Sequence, residues 1–167
     1  MPIVVKTLIF TILVPGSVTV WVPYLLLSSR LGVYSYESGR FRLSGILPIA
    51  LGSVFYLWCA WDFALAGKGT PAPLDPPKML VKRGLYRMVR NPIYIGVLGI
   101  LVGEAMLFES LTLLGYALFA GLAFHLFVVS FEEPALMKTF GAAYEEYRNA
   151  VPRWIPTAIR AKRTGRE

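Results

Sequence analysis

Between Thr7 and Ser29 the chain runs for 23 residues without a charged side chain. As a helix rising about 1.5 Å per residue, such a run crosses a hydrocarbon core about 30 Å thick. Inside lipid every backbone N–H and C=O must be satisfied within the protein, which a helix does by itself. This stretch therefore points to a helical membrane architecture. It is longer than the apolar part of a secretory signal and lacks a clear small-x-small cleavage site, so it reads as a retained span. Pro15-Gly16 and Pro23 are expected to kink it.

Three further apolar runs follow, Leu43 to Trp61, Asn91 to Phe108 and Ser110 to Phe131, the last two parted by a short turn near Glu109. Hydrophobic residues make up 56% of the 167-residue chain and charged residues 16%, more apolar surface than a soluble core of this size can hide. The expected fold is an all-α, polytopic membrane protein forming one domain over residues 1–167. It has about four transmembrane helices and a C-terminal cytosolic or interfacial helix. That last helix is expected from about Pro134 to Asn149, where Leu136, Phe140, Tyr144, Tyr147 and Val151 form one stripe at helical spacing. The stripe either lies on the membrane or covers a ligand. Gly67 to Pro77, rich in proline and glycine, reads as irregular.

The net charge of +7 does not imply nucleic acid, because the basic residues stand in loops between uncharged runs; anionic headgroups are the simpler partner. Of the 17 Lys and Arg residues, only Arg30, Arg40 and Arg42 fall in the loop after the first span, and the other 14 lie on the opposite side. That bias places both termini and the loop 67–90 in the cytoplasm. Cys59 is the single cysteine, which leaves no internal disulfide and no thiol metal cluster. A lone His125, two turns before Glu132, suits an interhelix hydrogen bond better than a metal site, and no metal is expected. Glu104 is an isolated carboxylate within a span; it either faces a polar cavity or is protonated and bonded to another helix.

Two places can carry chemistry. In Arg90-Asn91-Pro92-Ile93-Tyr94, Asn91 reads as an N-cap and Pro92 as the first helical residue, where its missing N–H costs nothing. The unpaired amides of that helix start and the Arg90 guanidinium together favour a carboxylate or phosphate. Glu132 and Glu133 are expected to close the fourth span, with Pro134 starting the next helix. Two adjacent carboxylates at a membrane boundary need a cation, and the basic loop 78–90 supplies it, so one carboxylate pairs and the other meets a ligand. The chain has no phosphate loop, dinucleotide fingerprint, zinc spacing or nucleophile elbow.

Taken together, three motifs resemble the superfamily of isoprenylcysteine carboxyl methyltransferases and phospholipid methyltransferases, integral membrane enzymes. They are Leu80-Val81-x-x-Gly84-x-Tyr86 with Arg90-Asn91-Pro92-x-Tyr94-x-Gly96, then Glu132-Glu133-x-x-Leu136-x-x-x-Phe140-Gly141-x-x-Tyr144-x-x-Tyr147, then Val151-Pro152. The resemblance covers about residues 75–156, and the first two spans share only their hydrophobicity. It implies S-adenosylmethionine as cofactor, bound at the cytosolic face, with S-adenosylhomocysteine as product. By position, cofactor binding would fall to Lys78, Met79, Leu80, Val81, Tyr86, Asn91, Pro92, Ile93, Tyr94 and Glu132. Arg90 and Glu133 are left for the reaction itself, Arg90 holding the cofactor carboxylate or an acidic substrate. The implied acceptor is lipid-like, methylated on a carboxylate oxygen or a phospholipid amine. Two positions depart from the family pattern. Asn91 stands where members often have histidine, and Val128 where members acting on prenylated cysteine carboxylates carry arginine, so Arg90 or Arg153 would have to bind such a carboxylate.

Two other classes remain open. Sterol-type membrane reductases using NADPH share a related Asn/His-Pro-x-Tyr turn, but tend to carry an Arg-Asp pair and a nearby cysteine where this chain has Glu132-Glu133. A non-enzymatic membrane protein would use the basic loops only to anchor headgroups and would bind no nucleotide-like ligand saturably.

Overall fold

The computed structural model describes residues 3–29, 39–63 and 79–156. Three helical runs there are long and apolar enough to cross a membrane, Thr7–Ser28, Gly39–Asp62 and Leu111–Phe140, and a shorter apolar helix covers Pro92–Leu107. The first span consists of α1 (Ile3–Leu13), a wide π turn at Ser17–Trp21 and α2 (Val22–Ser28). A 3₁₀ segment, Gly39–Gly45, leads into α3 (Ile46–Asp62). The shorter apolar helix, expected as the third span, is α4 (Pro92–Leu107), joined by a tight turn to α5 (Leu111–Phe127). Glu109 takes φ 53° in that turn, and the Ser110 hydroxyl accepts the Leu113 N–H at 3.2 Å to cap α5. A second π turn, Val128–Glu132, carries α5 directly into α6 (Glu133–Phe140), and α7 (Ala142–Ala150) follows.

Both π turns end two residues before a proline. Pro23 has no N–H, and the Val22 N–H is taken by the Ser17 carbonyl, so the Val18 carbonyl loses both possible donors along the helix. The Tyr116 hydroxyl of α5 supplies the missing donor at 3.1 Å. The same device corrects the expected end of the fourth span. Pro134 does not open a separate helix; the Glu133 N–H reaches back to the Val128 carbonyl, the turn widens, and the helix passes through the glutamate pair to Phe140. The expected single helix from Pro134 to Asn149 is instead broken at Gly141, whose φ of 50° with ψ of −126° only glycine adopts readily.

The main packing interface is α3 on α4, where glycines let backbones touch. A Cβ on Gly96 would come within 2.8 Å of the Gly52 carbonyl oxygen, and one on Gly103 within 2.5 Å of the Gly45 oxygen. In lipid, where apolar burial drives little association, this close approach is a main source of helix–helix attraction. Tyr56, Val97, Leu101, Ala117 and Ala120 fill the core beside it, and the Tyr56 hydroxyl meets Thr11 Oγ1 at 2.8 Å. Cys59 is fully buried in the core. One Glu104 carboxyl oxygen is buried without a hydrogen-bond partner among the described residues. Gly103→Ala is expected to lower stability by about 1–3 kcal/mol, the scale of an overpacked contact. Gly99→Ala, whose Cβ would meet its nearest atom at 3.4 Å, should leave stability unchanged or raise it slightly. Thermal unfolding of the two variants in detergent checks the contrast.

Candidate active site

The start of α4 is built by a strap from the C-terminal side. The Arg90 N–H donates to the Pro152 carbonyl at 2.9 Å, and the Asn91 Nδ2 donates to the Arg153 carbonyl at 3.2 Å. Asn91 therefore occupies the N-cap position without capping by its side chain; the buried amide ties down the strap instead. Its own carbonyl takes the Ile95 N–H, and the helix proceeds from Pro92.

The wide turn at Val128–Glu132 presents both glutamates to this helix start. Glu133 is the paired one. Its Oε1 lies 3.0 Å from Arg90 Nη1 and accepts Arg153 Nε at 2.7 Å, while its Oε2 accepts Arg153 Nη2 at 2.9 Å. The fork-to-fork pair with Arg153 is the geometry in which guanidinium and carboxylate bind best, and it raises the Arg153 pKa above its ordinary value. The Arg90 and Glu133 side chains are 9% and 11% exposed, so this is a buried charge cluster. Arg90 Nη1 also points at the Tyr144 hydroxyl at 3.4 Å, and Arg90 Nε is buried with no partner among the described residues. Glu132 turns the other way and accepts the Tyr94 hydroxyl on its Oε2 at 2.9 Å. One carboxylate is thus locked between two arginines, and the other is held by a neutral donor.

Aromatic rings wall the Glu132 side. Tyr94 packs on Phe124 with centroids 4.9 Å apart and meets Trp154 edge-on at 6.3 Å. Trp154 Nε1 donates to His125 Nδ1 at 3.1 Å, so the expected hydrogen bond of His125 goes to the strap.

The other wall is the loop before α4. Tyr86 sits in the core against Cys59 and Phe63, and its backbone carbonyl accepts the Tyr147 hydroxyl at 2.7 Å. Burial pushes the Tyr147 pKa up, so the hydroxyl keeps its proton and remains a donor. Lys82 Nζ donates to the Ala143 carbonyl at 3.1 Å. The aromatic stripe of α6 and α7 faces inward: Tyr144, Tyr147 and Val151 are buried and pack with Leu80, Leu136 and Phe140. It covers the loop.

Of the residues assigned from sequence, Arg90, Asn91, Tyr94, Glu132 and Glu133 come together, with Pro92 and Ile93 forming the helix start beneath them. Leu80, Val81 and Tyr86 form the packed underside of the loop, Met79 is exposed, and Lys78 lies outside the described residues. Tyr144 was already part of the expected stripe, but sequence reasoning gave no structural role to Trp154 or Asp62 and placed Arg153 only as a substitute ligand. Their spacing carries no periodic signal that links them to Glu133 or the loop.

The model of one protein family, described as phospholipid methyltransferase, matches residues 41–143. The chain belongs to the phospholipid methyltransferase family. The matched stretch holds α3, the loop, α4 and the glutamate pair, and stops before Arg153 and Trp154. Among curated relatives, methanethiol S-methyltransferase 2 of Bradyrhizobium diazoefficiens is 36% identical over 82 residues, 48% of this chain and 30% of that protein. The protein-S-isoprenylcysteine O-methyltransferase of Schizosaccharomyces pombe is 35% identical over 80 residues, 47% of this chain and 33% of that protein. The aligned part amounts to about a third of the length of each relative. No solved structure matches the chain. Membership in this family fits an all-α membrane protein whose site lies where two apolar helices meet a packed loop.

Proposed function

We propose that this chain is an S-adenosylmethionine-dependent methyltransferase that takes a lipid-like acceptor from the bilayer. The observation that carries the reading is the divided glutamate pair: Glu133 is neutralised between Arg90 and Arg153, and Glu132 stands beside it held, among the described residues, by Tyr94. The donor set suits an amino acid cofactor. Arg90 Nε is a buried donor without a partner and can take a carboxylate, while Glu132 can accept an ammonium or ribose hydroxyls.

When bound, S-adenosylmethionine supplies a sulfonium-activated methyl group for in-line displacement. The residues need only align and dry the site, a task that oriented binding can perform without a metal. Tyr94 fixes the direction of Glu132, and the rings of Tyr94, Phe124 and Trp154 exclude water and offer π faces to a cation. Glu133, bound to Arg90 Nη1 and Arg153, holds the strap and the helix start in place, a positioning role for a residue first assigned to the reaction, while Arg90 also offers its Nε to the carboxylate. The relatives' names point to acceptors as different as methanethiol and a protein isoprenylcysteine. The excess of basic residues in the loops before α4 and after α5 supports a cytoplasmic site.

Calorimetric titration of detergent-purified protein with S-adenosylhomocysteine, with NADPH in parallel, tests the reading. Saturable binding of the first alone is expected. Binding of NADPH alone would move the chain to the reductases, and binding of neither would reject a cofactor site here.

A further inference from the structure

The buried pair at the end of α3 is left unexplained by the reading above. Asp62 is 3% exposed, although it closes an apolar span where an acidic side chain would normally turn out to water or headgroups. It is turned inward to the loop before α4. Its Oδ1 accepts Arg83 Nε at 2.8 Å and lies 2.8 Å from Arg83 Nη2. Its Oδ2 is buried with no hydrogen-bond partner among the described residues.

That second oxygen fills the space left by a missing side chain. Gly84 has φ +57°, and a Cβ there would fall inside hard contact with Asp62 Oδ2 and 3.1 Å from Trp58 Nε1. Gly84 opens the single 3₁₀ turn Gly84–Arg87, which buries Tyr86 and leads through Val89 to Arg90. Stability alone does not account for this arrangement. The Arg83 side chain is 50% exposed, a setting in which ion pairs contribute little, while an orphaned buried carboxylate oxygen is destabilising. What the contact does supply is a fixed position for residues 83 and 84 against the membrane helix.

We propose that Asp62 is a positioning residue for cofactor binding, acting through Arg83 and the Gly84 backbone to hold the loop 81–90 in register with Glu132 and Glu133. The proposal rests on the methyl-transfer reading for its functional half. Its structural half stands without it. Arg83 anchors one end of the loop on α3, as Arg90 anchors the other on Glu133.

Two measurements separate these halves. Hydrogen exchange on ligand-free protein in detergent should show amides 81–90 exchanging at least tenfold faster in Asp62→Asn, with those of α4 from Val97 to Ala105 unchanged. Unchanged exchange at 81–90 would overturn the proposal whether or not any cofactor binds. For function, Asp62→Asn and Arg83→Gln should each raise the dissociation constant of S-adenosylhomocysteine about tenfold, and the double variant should be no worse than either. Additive losses would mean that Asp62 does not act through Arg83 and would overturn the proposal, and a lower thermal midpoint with unaltered affinity would make the pair merely structural. Asp62→Glu keeps the charge but pushes its carboxylate into Gly84, so it should not restore affinity; full restoration would remove Gly84 from the argument. If wild-type protein binds no S-adenosylhomocysteine, the methyl-transfer reading fails and the exchange result alone decides the structural claim.

Discussion

Glu133→Ala should lower the stability of the folded protein by about 3–5 kcal/mol, the scale for removing one partner of a buried ion pair. The reason is what it leaves behind. Arg90 is 9% exposed, so without Glu133 its guanidinium is left, among the described residues, facing the Tyr144 hydroxyl. Arg153 loses both bonds of its fork at the same time, and the strap that feeds two carbonyls to Arg90 and Asn91 loses its anchor. Glu133→Gln preserves shape and one acceptor and should cost less. Denaturant unfolding of both variants in the same detergent tests this; a loss below about 1 kcal/mol for the alanine variant would mean that Arg90 finds water or headgroups instead.

Glu132→Ala should leave the fold nearly intact and weaken S-adenosylhomocysteine binding by about tenfold to a hundredfold, the range of a lost charge-assisted hydrogen bond. Among the described residues only Tyr94 depends on Glu132 as an acceptor, and the tyrosine remains wedged between Phe124 and Trp154 without it. Tyr94→Phe removes the orienting hydroxyl but not the carboxylate, so it should weaken binding by a smaller factor. Calorimetry on folded variants separates the two, and undiminished affinity in Glu132→Ala would remove Glu132 from the cofactor site.

The spans were legible in the sequence because charge-free length is a one-dimensional signal. The helix end after Phe131 was not. Two glutamates and a proline look like a boundary, and only the three-dimensional freedom to widen one turn lets the helix carry Pro134. The break at Gly141 was visible as a glycine but was overridden by the aromatic stripe, which continues in phase across it because α7 resumes against the same loop. That one glutamate would pair followed from charge: a carboxylate at this boundary needed a cation, and the basic loop ending in Arg90 was near. Which glutamate took which role depends on the rotation set by the π turn. Arg153 and Asp62 were visible as charges, but their inward orientation is set by packing between elements 20 or more residues apart, for which no periodicity exists. The same holds for the paired glycines of α3 and α4. Gly99 and Gly103 spell a small-residue spacing, yet their facing partners Gly45 and Gly52 are known only once the helices are docked.

The strap also sets an order of events during synthesis. Arg90 and Asn91 receive their backbone acceptors from Pro152 and Arg153, and Glu133 receives its fork from Arg153. Every membrane helix can therefore insert and dock while the site is still incomplete. A chain stopped short of Pro152 therefore carries α1 to α7 but neither the backbone acceptors of Arg90 and Asn91 nor the guanidinium fork that holds Glu133.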